Sequence, residues 1–182
     1  MRYKIKEHQL KNGTLCQLRS PLPSDAAAIL QLMRITSDET SFMARYSDEL
    51  KMSVQSEEKF LEATLNSPAD LMICAVVNGV IVASAGISPV APRERYRHRA
   101  SFGISVLKEY WGLRIGSLLL AAIISGAKEM GLEMLELEVV CTNERAIALY
   151  EKFGFCRFGT RPHSFKYRDG SYADEYLMLL EL

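Results

Sequence analysis

The chain has 182 residues, enough for one domain to bury a core without disulfide staples. Its 22 basic and 22 acidic side chains cancel to a formal net charge of zero, so charge alone points to neither a nucleic acid nor a membrane surface. Hydrophobic residues at 48% and charged residues at 24% are ordinary for a globular protein, and no apolar run approaches the roughly twenty residues of a membrane span.

The first strand is predicted over Thr14 to Leu18, followed by Pro21-Leu22-Pro23-Ser24-Asp25 as a helix cap. Ile29, Leu30, Leu32, Met33 and Ile35 form the apolar stripe of that helix. A polar stretch from Asp38 to Ser53 carries Phe42, Met43 and Tyr46, and a second helix starts at Ser56 and ends before Pro68. Leu71 to Val77 and Val80 to Ile87 are apolar runs joined by Asn78-Gly79, a hairpin signal because both turn residues tolerate positive φ. A basic loop, Pro92 to Arg99, leads into a strand over Phe102 to Val106. In an extended segment Arg93, Arg95, Arg97 and Arg99 share a face, either a solvated edge or a landing strip for an acidic acceptor.

An apolar helix is predicted from Ile115 to Met130 and a strand from Leu135 to Val140. Asn143 caps a helix to Phe153, which Gly154 ends at the C′ position. Two strands, near Phe155 to Thr160 and Glu175 to Leu180, flank a polar turn at Arg168-Asp169-Gly170-Ser171. The order β-α-α-β-β-β-α-β-α-β-β over residues 1–182 describes one α/β (α+β) domain, a mixed sheet with helices on both faces.

The four cysteines, Cys16, Cys74, Cys141 and Cys156, are scattered and form no C-x-x-C pair. That usage predicts free thiols in a reducing compartment and no metal site. Met1 to Lys6 is charged and leads into no apolar signal core, so the expected location is cytoplasmic.

Two segments carry chemistry. In Trp111-Gly112-Leu113-Arg114-Ile115-Gly116-Ser117 a turn opens a helix, and glycine lets the first, unpaired helix N–H groups face one point. With the helix dipole this suits a pyrophosphate, although a glycine-bearing connection explains the turn equally well. Neither the dinucleotide fingerprint nor a P-loop ending is present. In the following helix, Ala146, Ile147, Leu149, Tyr150 and Phe153 form an apolar face. Tyr150 is therefore a core aromatic with its hydroxyl at the rim, or an acid that protonates a leaving group. Glu138 faces away from Leu135, Leu137 and Val139, as a solvated sheet residue or as a base across one reacting centre from Tyr150.

These segments resemble the acetyl-CoA signature of the GCN5-related N-acetyltransferase (GNAT) family. Asn143, Ala146, Leu149, Tyr150, Gly154 and Phe155 match its second half in full. In the first half Gly116 matches and Gly112 supplies a frequent extra glycine, while Trp111 and Arg114 replace an Arg/Gln and a glycine. Leu137-Glu138-Val139 is similar to the bacterial ribosomal-protein N-terminal acetyltransferases.

The resemblance implies a mostly antiparallel sheet of six to seven strands, about four helices and a splayed central strand pair. It implies acetyl-CoA as co-substrate, with pantetheine along Ile104, Ser105 and Val106 and pyrophosphate on the amides from Gly112 through Leu113, Arg114 and Ile115 to Ser117. Asn143 would order the cleft wall beside Ala146, Glu138 would act as base and Tyr150 as acid. Glu39, Phe42 and Met43 would shape the acceptor pocket, and His98 is either a surface histidine or a second base. The partner implied is an amine, of a peptide, a protein N-terminus or a small molecule, with a homodimer possible and no nucleic acid or membrane. A non-catalytic acyl-CoA-binding or regulatory module on the same fold is the alternative.

Overall fold

The computed structural model describes all 182 residues. The sheet begins with β1 (Lys6–Gln9) and β2 (Leu15–Arg19), followed by α1 (Ala26–Glu39) and α2 (Val54–Asn66). β3 (Leu71–Val77), β4 (Val80–Pro89) and β5 (Arg99–Val106) lead to α3 (Ile115–Glu129). β6 (Met134–Val140), α4 (Glu144–Lys152), β7 (Cys156–Lys166) and β8 (Tyr172–Glu181) complete the chain. Eight strands lie in the order β1-β2-β3-β4-β5-β6-β8-β7. The mixed fold and its four helices are as expected, and β1 accounts for the additional strand.

Local chemistry explains most elements. Asn78 and Gly79 take φ of +50° and +80°, the values that let β3 turn straight back into β4. Ser53 rather than Ser56 caps α2, its hydroxyl accepting from the Ser56 N–H at 3.1 Å. The Asp25 carboxylate accepts from the Leu22 N–H at 2.7 Å and from Arg19 at 2.6 and 3.0 Å, which fixes the entry to α1. The Arg19 hydrogen bonds hold that carboxyl below its ordinary range. In α1 the inner face includes Thr36 and Ser37, whose hydroxyls bond back to the carbonyls of Leu32 and Met33. Met33 and Ile35 are only half-buried. No helix is long and apolar enough to cross a membrane, and all four cysteines are free.

Residues Ile81 to Ala85 of β4 are all buried, which requires cover on both faces of the sheet. Registered residues Leu71, Ile87 and Phe102 share one face. There Gly126 of α3 packs so closely over Leu71 that a Cβ would collide with its side chain. α4 lies on this face too, with Tyr150 edge-on to Phe102 at 6.0 Å. α1 and α2 pack together and cover the other face.

The irregularity that matters lies between β5 and β6. They run parallel and pair only at Arg99↔Met134, Ala100↔Leu135 and Ser101↔Glu136. An Arg99–Glu136 ion pair joins the strands at that end. β6 then pairs with β8 along its full length, and β5 stays with β4 to Val106. The two halves of the sheet therefore part into a V that opens toward Val106 and Val140.

The arginine segment is not extended. Glu94 to Tyr96 form a single helical turn, so Arg93, Arg95 and Arg97 present no alternating face, and Arg99 already belongs to β5.

Candidate active site

The turn into α3 sits at the mouth of the V. Gly112 and Arg114 both have φ of +80°, so the chain reverses twice before Ile115. Arg114 holds this left-handed conformation without being glycine, at a cost of roughly 1–2 kcal/mol. The first intrahelical bond runs from the Leu118 N–H to the Arg114 carbonyl at 3.1 Å. The amides of Ile115, Gly116 and Ser117 thus have no acceptor inside the helix, and the positive end of the helix dipole lies behind them. At Gly116 a Cβ would stand 3.2 Å from the Leu149 side chain, so glycine here lets α4 close against α3.

These amides line a cleft of about 580 Å³ that passes through the V. One wall is Ile104, Ser105 and Val106 of β5, and another is Asn143, Ala146, Leu149 and Tyr150. From the opposite face of the sheet Thr36, Thr40, Phe42 and Met43 reach the same cleft. The Leu107 N–H bonds the Val82 carbonyl at 3.0 Å, so by alternation Ile104 and Val106 turn their N–H groups into the gap. Lys11, Arg114, Arg145 and Lys152 also line it, with no aspartate or glutamate among the lining residues. A chain of zero net charge has gathered cations around one cavity, the arrangement that attracts a polyanion.

Tyr150 is 7% exposed and packs against Phe102 and Phe155. Burial alone pushes its phenol far above the ordinary value, so the group is a neutral proton donor throughout the physiological range. Asn143 caps α4, its side-chain oxygen accepting from the Ala146 N–H at 3.3 Å. Trp111 donates its indole N–H to the Val106 carbonyl at 2.9 Å, and the Arg145 guanidinium lies 5.0 Å from its ring centroid.

Twelve of the residues singled out for the donor meet in this cleft: Ile104, Ser105, Val106, Trp111, Gly112, Arg114, Ile115, Gly116, Ser117, Asn143, Ala146 and Tyr150. Phe42 and Met43 join them. Leu113 packs on the core instead. Glu39 uses its carboxylate to accept from the Lys108 N–H at 2.8 Å, fastening the end of α1 to the turn before α3. His98 precedes β5, about 20 Å along the strand from the cleft, and its carbonyl accepts from Glu133 and Met134.

Glu138 lies outside the lining and on the other face of the sheet from Tyr150. Its side chain is half-exposed, paired with Arg161 at 3.3 Å, and borders a second cavity of about 240 Å³ with Ser101, Phe158 and Leu177. Arg161 also holds the buried Glu175 at 3.2 Å. The sequence did not single out Lys11, Tyr110, Arg145 and Lys152. Arg145, Leu149 and Lys152 recur at helical spacing, a signal that was available; Lys11 sits in the β1–β2 turn, which gave none.

Residues 29–155 match the model of the Acetyltransferase (GNAT) family. Among solved structures, an acetyltransferase of the GNAT family from Streptococcus pneumoniae superposes with a TM-score of 0.88 at 31% identity, over 92% of this chain and 99% of that one. The protein yncA from Salmonella typhimurium, solved with its cofactor acetyl-CoA, gives 0.80 at 20% identity over 92% and 94%. Ribosomal-protein-alanine N-acetyltransferase from Brucella melitensis gives 0.81 at 24% identity over 91% and 98%. The L-amino acid N-acetyltransferase AaaT of Escherichia coli is 29% identical over 134 residues, 73% of this chain and 82% of the relative.

Proposed function

The chain belongs to the GNAT acetyltransferase family, and from that premise we propose that it is an acetyl-CoA-dependent N-acetyltransferase passing the acetyl group directly to a primary amine. The observation that carries this reading is the cleft through the sheet. Open helix amides and four cations line it, with strand N–H groups along its wall and a buried phenol within it. Such a lining suits a long thioester carrier with phosphates at one end and an acyl group at the other.

In this reading the amides of Ile115, Gly116 and Ser117 hold the pyrophosphate, assisted by Arg114. Ile104 and Val106 fix the pantetheine arm as an added strand would be fixed, and the Val106 N–H polarises the thioester carbonyl. Glu138 takes the proton of the attacking amine from the far face of the sheet, directly or through water. Arg161 must yield part of its hold on that carboxylate as the ammonium group arrives. Tyr150 protonates the departing thiolate from the near face. The amine attacks the carbonyl carbon, the C–S bond breaks, and the proton lost by nitrogen is balanced by the one sulfur gains.

Release of CoA and formation of acetylated product, measured over free amino acids, peptides, polyamines and aminoglycosides, test this function. At least one class is expected to give equal amounts of free thiol and N-acetyl product. Acetyl-CoA binding with no thiol release from any amine would instead support a non-catalytic acyl-CoA-binding module.

A further inference from the structure

Where β5 and β6 part, the end of β5 loses a strand partner. Their pairing stops at Ser101↔Glu136, so the backbone groups that Val106 turns toward the gap have no β6 group to meet. The N–H and C=O of one strand residue point to the same side, which places both groups of Val106 in the gap. The Leu107 N–H fixes that sense, since it bonds the Val82 carbonyl of β4 at 3.0 Å. A free N–H there is useful to a thioester. An unpaired carbonyl beside it, at half-buried Val106, would destabilise the strand end.

Trp111 fills that carbonyl. A single helical turn, Lys108–Tyr110, carries the chain back on itself. The Tyr110 N–H bonds the Leu107 carbonyl at 3.0 Å and the Trp111 N–H bonds the Lys108 carbonyl at 3.1 Å. The turn is anchored from α1, because the Glu39 carboxylate accepts from the Lys108 N–H at 2.8 Å. The Trp111 indole N–H thereby reaches the Val106 carbonyl at 2.9 Å, taking the part of the absent strand. The peptide plane between Val106 and Leu107 is then held at both ends, its oxygen by the indole and its N–H by Val82. A plane fixed in this way leaves the preceding Val106 N–H little freedom to swing. Indole nitrogen only donates, so it cannot compete for that N–H. The Arg145 guanidinium lies 5.0 Å from the ring centroid, so one side chain ties the end of β5 to the helix that carries Tyr150.

We propose that Trp111 is a positioning residue: its indole N–H replaces the missing strand at the Val106 carbonyl and so keeps the Val106 N–H aimed at the thioester carbonyl. This rests on the transferase reading above and deepens it.

The test removes the N–H and keeps the ring. Trp111 is the only tryptophan in the chain, so benzothienylalanine, in which sulfur replaces the indole N–H, can be placed at that position alone. Turnover with an accepted amine is measured beside the infrared carbonyl stretch of isotope-labelled acetyl-CoA bound to the protein. In wild type the bound stretch is expected below that of free acetyl-CoA, as a polarised carbonyl requires. With the isostere it should move back toward the free value, and kcat should fall roughly ten- to a hundredfold. The fall is smaller than for outright loss of a donor, because the Val106 N–H remains and is only less firmly aimed. Acetyl-CoA affinity should stay within about threefold, since the helix amides and the ring beside Arg145 are unchanged. Trp111→Phe, which also lacks the donor, should show the same shift and the same fall.

A contact that serves stability alone would lower the melting temperature and leave the stretch and kcat unmoved, and that result would overturn the inference. So would a wild-type stretch equal to the free one, or a loss confined to acetyl-CoA binding. An active wild type matched by its isostere removes this inference alone. A wild type that binds acetyl-CoA and releases no thiol with any amine removes the transferase reading, and this inference with it.

Discussion

Replacing Tyr150 with phenylalanine is expected to lower kcat by roughly a hundred- to ten-thousandfold while leaving acetyl-CoA binding nearly unchanged. The reasoning starts from packing. The ring is fixed by Phe102 at 6.0 Å and Phe155 at 5.7 Å, contacts that phenylalanine reproduces, so the variant folds and keeps the cleft wall. What it loses is a hydroxyl whose proton burial retains. A thiolate leaving an acyl carbon needs that proton in the transition state and not before. The loss therefore falls on kcat and not on binding. Pre-steady-state measurement of CoA release separates chemistry from product release. Unchanged turnover with chemistry rate-limiting would exclude Tyr150 as the acid.

Glu138→Gln is expected to reduce kcat by a similar factor, roughly a hundred- to ten-thousandfold, by removing the proton acceptor on the far face. The substitution preserves size and can still accept from Arg161, so the sheet is left intact. Because Glu138 does not line the donor cleft, acetyl-CoA should bind as tightly as before. That split distinguishes a base from a residue that shapes the cofactor site. A variant with wild-type kcat would move proton removal to another group.

Helix α4 was legible in the sequence because all of its determinants are local. Asn143 caps it, an apolar face follows at helical spacing, and Gly154 ends it with φ of +94°. The turn before α3 was legible for the same reason, although nothing local announced that Arg114 would adopt a glycine-like φ. β1 escaped notice because Lys6-Glu7-His8-Gln9 is an exposed edge strand with no apolar alternation to read. The arginine segment misled because alternation has meaning only once the backbone is extended, and here it coils through a turn.

Glu138 was assigned to the correct face by strand alternation, yet its tie to Arg161 depends on β7 reaching it through β8. The tie between Arg168 and Asp48 was invisible for a related reason, since the two residues lie 120 positions apart.

Trp111 offers the most direct test of the central claim, that a thioester carrier occupies the cleft through the sheet. It is the only tryptophan in the chain and lines that cleft. Its ring is set by the Val106 carbonyl and by Arg145. Titration with acetyl-CoA, followed by tryptophan emission with calorimetry alongside, should give a saturable one-to-one change whose affinity weakens as salt is added. Emission and heat that both stay flat up to millimolar acetyl-CoA would contradict the account.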